Sequence, residues 1–253
     1  MSLIPLTPDQ FANARWRPMP DSAFAREISL AELNASEMPA AACHLPVGLV
    51  RMEDGIWTLQ AVFGLQPGKN LFVAVNGSWL GGYWPLRLRL APFALAKSEH
   101  NEQVLCINDV WWQPSELGGY PFYGEENNLA KETADLLLEC QALLGNQQHT
   151  HAAVAALDEA GLLCPWNPVV ATESLGSVQL EGLFSINEEA LNALDADALL
   201  KLRDCGALAI AYCQLISMQH LHKLAELADA HARHVQQSVQ VQNDMLNLNF
   251  LVE

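Results

Sequence analysis

The side chains best suited to binding chemistry lie in one short stretch, NGSWLGGYWPLRLRLAPF, at positions 76–93. The candidate binding residues are Trp79, Tyr83, Trp84, Arg87 and Arg89. Arginine and large aromatic residues are the types that anchor protein and peptide partners, and arginine binds carboxylates through paired hydrogen bonds. The stretch therefore predicts a surface for an anionic protein or peptide partner, and Trp111 and Trp112 are candidate additions to it.

The backbone conformation of this stretch decides whether its two arginines act together. Pro85 and Pro92 bracket a run in which leucine alternates with Arg87 and Arg89. This favours a short extended segment with both arginines on one face. The alternative is a helix of one or two turns starting near Pro85, which would turn the arginines about 200° apart. We expect at least one of them to meet a carboxylate, which belongs either to this acidic chain, a structural role, or to a bound partner.

Histidine is the second residue type that could do chemistry. The candidate pairs are His149 with His151, His220 with His222, and His231 with His234. His220, His231 and His234 share one stripe of a predicted helix, but the first two lie about 16 Å apart along its axis. Two closely spaced ligands do not make a metal site, so the sequence predicts no metal and no cofactor. The stripe instead predicts a homodimer or heteromer through the C-terminal helix, which histidine protonation would weaken.

Motifs of catalysis and nucleotide binding are missing from the sequence. It holds no G-x-S-x-G, no G-x-G-x-x-G, no P-loop and no H-E-x-x-H. Its six cysteines form no C-x-x-C pair, and apolar surroundings predict buried free thiols for most of them. A binding protein is favoured over an enzyme, although a peptide- or small-molecule-modifying enzyme with an unrecognised site remains an alternative.

Composition narrows the partners further. The formal net charge of −16 disfavours nucleic acid and anionic membranes. No apolar run approaches the roughly 20 residues of a membrane span. The first residues lack the basic start and apolar run of a signal peptide, so we expect a cytoplasmic protein.

The order of elements predicts a single α+β domain over residues 1–253. We expect an N-terminal arm over 1–46, a mainly β region over 47–126, and a mainly helical region over 127–253 with a β-hairpin near 169–186. The β part reads as an antiparallel meander, and the helical part as packing against it around one buried central helix, for which the apolar run 207–218 is the candidate.

Local signals fix several of these elements. The turn Glu53-Asp54-Gly55 predicts a hairpin, and Asn76-Gly77 predicts another. Strands are expected over 70–75 and 103–109, and the alternating stretch 176–186 predicts one more. Ser29 with Glu32 is a candidate cap for a short helix in the arm.

Helical spacing predicts a helix from Leu129 to Leu144 and a separate one from His151 to Ala160 that stops at Gly161. Another is expected to begin at Asn187. The chain from Asp197 to about Gln236 is expected to be strongly helical.

The succession of motifs resembles the SapC family of bacterial proteins. The densest matches are GLQPGKNLF, W…YWPLRLRLAPFAL and GALAIAYCQLISM, and the early FANARWRP, GYPFYGEENN and LEGLFSINEEALNAL also match. The resemblance covers most of the chain and weakens after Leu224.

The resemblance implies an accessory role more than a chemistry. Members of the family are encoded near outer-membrane receptors and tryptophan-halogenase-like enzymes, and the family name refers to a component linked to a surface layer. It supplies no catalytic residues. We therefore expect a non-enzymatic accessory protein that holds a protein or peptide partner, with a surface-layer or envelope component as an alternative.

Overall fold

The computed structural model of the protein describes residues 3–97, 102–110 and 118–249, with side chains up to residue 240. Trp111 and Trp112 lie outside the described residues. The strands are β1 Leu3–Pro5, β2 Arg15–Trp16, β3 Leu30–Leu33, β4 Val47–Arg51, β5 Trp57–Val62, β6 Phe93–Lys97, β7 Gln103–Asn108, β8 Tyr120–Pro121, β9 Leu163–Trp166, β10 Val169–Thr172, β11 Gly176–Gln179 and β12 Leu183–Ile186. The α-helices are α1 Pro8–Phe11, α2 Met38–Ala41, α3 Leu86–Arg89, α4 Lys131–Glu159, α5 Glu188–Asn192, α6 Ala196–Asp204, α7 Ala207–Ser217 and α8 Leu221–Asn249.

The fold is α+β, as the sequence predicts, and its strands pair antiparallel. A central sheet has the order β3-β5-β4-β12-β9, and a smaller sheet has the order β1-β7-β6. Two-stranded ladders join β10 to β11 and β2 to β8. The central sheet therefore combines strands from the arm, the β region and the helical region of the sequence.

Two hydrophobic cores lie on these sheets. The main core contains Leu33, Leu59 and Phe72, and the small core contains Phe93, Ile107 and Phe122. Helix α4 joins them, because Cys140 in its first half packs in the small core and Leu157 near its end packs in the main core. Its 29 residues span about 43 Å, so one helix can reach both cores.

Several local predictions are confirmed. The Asp54-Gly55 turn joins β4 to β5, with Gly55 at φ +86°, where glycine is the least strained residue. The strand expected over 103–109 is β7. Helix α5 follows Asn187, whose side chain accepts a hydrogen bond from the backbone N–H of Ala190 at 3.1 Å.

Other local predictions are wrong. The helices expected over 129–144 and 151–160 are one continuous helix, α4. Contacts of α4 with both hydrophobic cores stabilise the helical conformation across its middle. The stretch 176–186 is two strands in different sheets, β11 and β12, separated by a turn at Gly182 with φ +76°.

The segment 70–75 is also not a strand. A single bridge joins Val73 to Trp79 around the Asn76-Gly77 turn, and the preceding Phe72 is fully buried in the main core. In the arm, Ser29 and Glu32 cap no helix. Glu32 lies in β3, and the capping box is formed by Asn34 and Glu37.

The apolar run 207–218 forms helix α7, as predicted, but this helix is buried on one side only and not all round. Its inner side packs on α4, α2 and the central sheet, while Tyr212 and Ile216 are exposed on the other side. Buried Gln214 joins two neighbouring strands: its side-chain amide donates to the Val47 carbonyl at 3.0 Å and accepts from the Ile186 N–H at 3.0 Å. The side-chain amide thereby links β4 and β12, whose ladder contains a single residue pair.

Candidate functional site

The stretch with the two arginines is a single helical turn, α3, and not the extended segment that its alternating pattern favours. Pro85 is extended, and the N–H of the next residue, Leu86, donates to the Glu37 carboxylate at 2.8 Å. A carboxylate at a helix N-terminus satisfies a free N–H and favours the helical conformation. Because this acid lies 49 residues earlier, the local pattern gives no sign of it.

The three aromatic residues of the predicted surface are half-buried against the main core. Trp79 stacks between Phe72 and Trp84, with ring centroids 5.5 and 6.3 Å away, and its indole N–H donates to the Tyr83 carbonyl at 2.9 Å. The Trp84 indole nitrogen is buried and has no hydrogen-bond partner among the described residues. These rings thus pack mainly within the protein, and little of their area is left for a partner.

A carboxylate from the arm fixes this aromatic segment. Glu37 is 5% exposed, and it accepts hydrogen bonds from the Tyr83 hydroxyl at 2.9 Å, the Leu86 N–H at 2.8 Å and the Asn34 N–H at 3.0 Å. Burial raises the pKa of Tyr83 well above its usual range, the Glu37 carboxylate adds to the rise, and Arg89 opposes it. We call Glu37, Tyr83 and the Leu86 N–H the Glu37 cluster. Its hydrogen bonds are made between groups of the protein itself, as is typical of a structural element.

A second carboxylate from the arm, that of Glu32, contacts Arg87. The Arg87 guanidinium donates to Glu32 at 3.0 Å, and the same carboxylate accepts from Gln147 at 2.6 Å and contacts His151 at 2.6 Å. The Glu32 side chain is 13% exposed and that of Arg87 is 52% exposed. We call these four residues the Glu32 cluster. It confirms that one arginine meets a carboxylate of the chain itself.

The Glu32 cluster borders an apolar cleft of about 360 Å³ between the two sheets. Strands β3 and β6 form its sides, and α4 contributes Cys140, Leu143 and Leu144. Within the described residues, β3 and β6 are each hydrogen-bonded to one neighbouring strand, β5 and β7 respectively. Two sheet edges and an apolar floor therefore surround one cleft, a setting typical of ligand sites between packed units.

The structure separates the five predicted binding residues. Arg87 lines the cleft, whereas Trp79, Tyr83 and Trp84 pack on the main core and Arg89 lies beside Tyr83. The sequence analysis missed Glu32 and Gln147 as site residues and treated His151 only as half of an H-x-H pair. Gln147 falls between the two helices predicted over 129–144 and 151–160, so only the continuous helix α4 places it on one face with His151.

Two histidines of the predicted stripe make contacts within the chain. His220 and His231 contact the backbone carbonyls of Ala42 and Leu71 at 3.0 and 2.9 Å. Burial lowers the pKa of His220. Within residues 3–97, 102–110 and 118–240, no group of three His, Cys, Asp or Glu side chains is placed to hold a metal ion. His220 and His231 of the predicted stripe thus contact the protein's own backbone, whereas His234 is exposed, and the histidine-lined dimer contact stays a prediction.

Fold and site together define an α+β protein with two sheets and an apolar cleft between their edges. The chain belongs to the SapC family, whose profile matches residues 6–224. The match ends at Leu224, where the resemblance in the sequence weakens. Comparisons with curated proteins and with solved structures found no match. Among the described residues, no helix is both long and apolar enough to cross a membrane.

Proposed function

We propose that this protein is a non-enzymatic accessory protein that binds a segment of a partner protein in the cleft between β3 and β6. The observation that carries the proposal is the meeting of two singly paired strand edges at an apolar cleft with a charged cluster on its border. Such edges offer backbone donors and acceptors that an extended polypeptide satisfies better than other ligands do.

Charge and chemistry support a polypeptide ligand. The net charge of −16 repels nucleic acid. The cleft walls are mainly aliphatic, and the rim carries Leu30 and Met52, which are 40% and 46% exposed. Exposed aliphatic side chains around a concave site favour an apolar ligand segment.

The family context suggests where such a partner acts. Because SapC proteins are associated with outer-membrane uptake systems and halogenase-like enzymes, we propose that the partner belongs to one of these assemblies. A surface-layer or envelope role is the alternative. We further propose a cytoplasmic location. Fractionation of the native organism distinguishes a cytoplasmic protein from a surface-layer or envelope component.

Self-association is a separate proposal. Beyond Arg233 the described side chains of α8 are exposed, including Val235 at 58% and Val239 at 53%. We propose that a homodimer uses this part of the helix. Light scattering should show a dimer that the double variant Val235→Glu with Val239→Glu converts to a monomer, and an unchanged mass would contradict it.

The proposed function is tested by filling the cleft. Leu144→Trp places a large side chain on the α4 floor, and Leu138→Trp makes the same change on the same helix, where the native residue is 63% exposed and outside the cleft lining. Each variant, immobilised, is used to capture partners from the native organism, and bound segments are mapped by cross-linking and mass spectrometry. We expect Leu138→Trp to behave like the unmodified protein and Leu144→Trp to lose the cross-links to cleft residues. If Leu144→Trp keeps the same partner with the same cross-links, the cleft is not the binding site.

A further inference from the structure

We propose that the cleft captures the free carboxyl terminus of a partner polypeptide, with the terminal carboxylate on Arg87 and the last residues extended between β3 and β6. This inference rests on the proposed function and specifies its ligand. Three features of the cleft support it: one closed end, the spare hydrogen-bond capacity at that end, and the apolar walls.

The first feature is the closed end. Helix α3 contacts β3 on one side, and on the other it continues through Leu90 and Ala91 directly into β6. Leu88, Leu90 and Ala91 all line the cleft. A chain that runs between the two strands towards α3 therefore meets a wall, and this geometry suits the end of a polypeptide better than a segment that must continue.

The second feature is the hydrogen-bond inventory at this end. The Glu32 carboxylate already has three partners in Arg87, Gln147 and His151, so it is poorly placed to bind an incoming ammonium group. A guanidinium has five N–H donors, and Arg87 donates one bond to the described residues. With half of its side-chain surface exposed, Arg87 can donate to a second carboxylate through the same planar group. The spare capacity consists of guanidinium N–H donors, which suits an acceptor group such as a carboxylate.

The third feature is the combination of size and polarity. The volume of about 360 Å³ lies near the lower end of the roughly 300–1,000 Å³ of ligand sites. The walls contributed by Leu95, Leu143 and Leu144 are aliphatic. A short apolar segment that ends in a carboxylate matches such a cleft, and capture of a terminal carboxylate is a known mode of peptide recognition.

The experiment uses the full chain and a synthetic peptide library. Each peptide carries an N-terminal fluorescein, and its last four positions, the length of β3, are randomised among apolar residues. The library is made as free acids, as C-terminal amides, and as free acids extended by Gly-Ser-Gly-Ser. Binding is measured by fluorescence anisotropy. We expect the best free acids to bind at least about tenfold more tightly than their amides or extended forms, a difference of about 1.4 kcal/mol, because only the free acid offers Arg87 a terminal carboxylate for a charge-assisted hydrogen bond.

Arg87→Ala and Arg89→Ala are the matched pair for this experiment. Both remove one exposed arginine from the same helical turn, so they change the net charge equally. Arg87→Ala should abolish the preference for the free acid, and Arg89→Ala should retain it. Leu144→Trp should weaken binding of every form.

The outcomes separate this inference from the proposed function. If acids, amides and extended peptides bind equally well and Leu144→Trp weakens them all, the cleft binds polypeptide but does not read a chain end, and the inference is overturned alone. If no peptide binds, the inference is also overturned; the capture experiment with Leu144→Trp and Leu138→Trp then decides whether the proposed function stands.

Discussion

Glu32 and Glu37 lie five residues apart in the N-terminal arm, and each receives hydrogen bonds from the segment that contains α3. Their surroundings differ. Glu37 is 5% exposed and is bonded to two backbone N–H groups and a hydroxyl. Among the described residues, the Glu32 carboxylate contacts the side chains of three residues, one of which, Arg87, is half exposed and lines the cleft.

The difference shows how one segment can have two roles. The Glu37 cluster fixes the backbone of α3, because its carboxylate caps the helical turn and holds Tyr83. The Glu32 cluster orients a charged group at an open cleft without enclosing it. Positioning by the first cluster is what allows Arg87 to face the cleft while Arg89 points towards Tyr83.

The largest expected effect is the loss of the Glu37 carboxylate. Glu37→Ala leaves three hydrogen-bond donors without their acceptor, and a buried unsatisfied group costs about 1–3 kcal/mol. We expect the free energy of unfolding to fall by about 3 kcal/mol or more in urea denaturation. Glu32→Ala serves as the control and should cost about half as much, since its donors are side chains that can reach water. Equal losses in the two variants would show that both clusters are structural.

A smaller effect is expected from Tyr83 at alkaline pH. Its pKa is raised in the folded protein, so the unfolded chain ionises first, near pH 10 for an ordinary tyrosine. The stabilising contribution is present in full below about pH 10 and is lost as pH rises above it. We expect Tyr83→Phe to lower stability at neutral pH by about 1–2 kcal/mol and to make stability less sensitive to alkali. Unfolding curves of the unmodified protein and of Tyr83→Phe at pH 8 and at pH 10.5 measure this. If both proteins lose the same amount of stability between the two pH values, the prediction is contradicted.

The smallest stability effects should come from the two arginines. The Arg87 side chain is half exposed and an exposed ion pair contributes about 0–1 kcal/mol, so Arg87→Ala should leave the melting temperature nearly unchanged. Arg89 is exposed as well, and Arg89→Ala should have the same small effect. A large loss of stability in Arg87→Ala would show that Arg87 stabilises the fold and would contradict its assignment to the binding site.

The sequence predicts the fold class because its signals are local. The Asp54-Gly55 turn, the helix that begins after Asn187 and the helix in the apolar run 207–218 each depend on neighbouring residues, and all three are confirmed. The family resemblance is confirmed as well.

The site was less predictable because it depends on distant residues. Alternation of leucine and arginine favoured an extended segment, but a carboxylate 49 residues away makes the segment helical and separates Arg87 from Arg89. The partners of Glu32 lie 115 and 119 residues beyond it on α4, where no pattern around position 32 could indicate them. The aromatic residues Trp79, Tyr83 and Trp84 pack against the main core; their binding of a partner stays a prediction.

The most direct test of the central claim is site-specific photo-cross-linking in the native organism. Benzoylphenylalanine replaces Met52 at the rim of the cleft in one variant and Tyr212 on the outer side of α7 in another; the native residues are 46% and 48% exposed. The account predicts that position 52 forms an adduct with an apolar segment of a partner protein, identified by mass spectrometry, and that adding Arg87→Ala removes this adduct whereas Arg89→Ala does not. An adduct at position 212 with none at position 52, or an adduct at position 52 that survives Arg87→Ala, would contradict it.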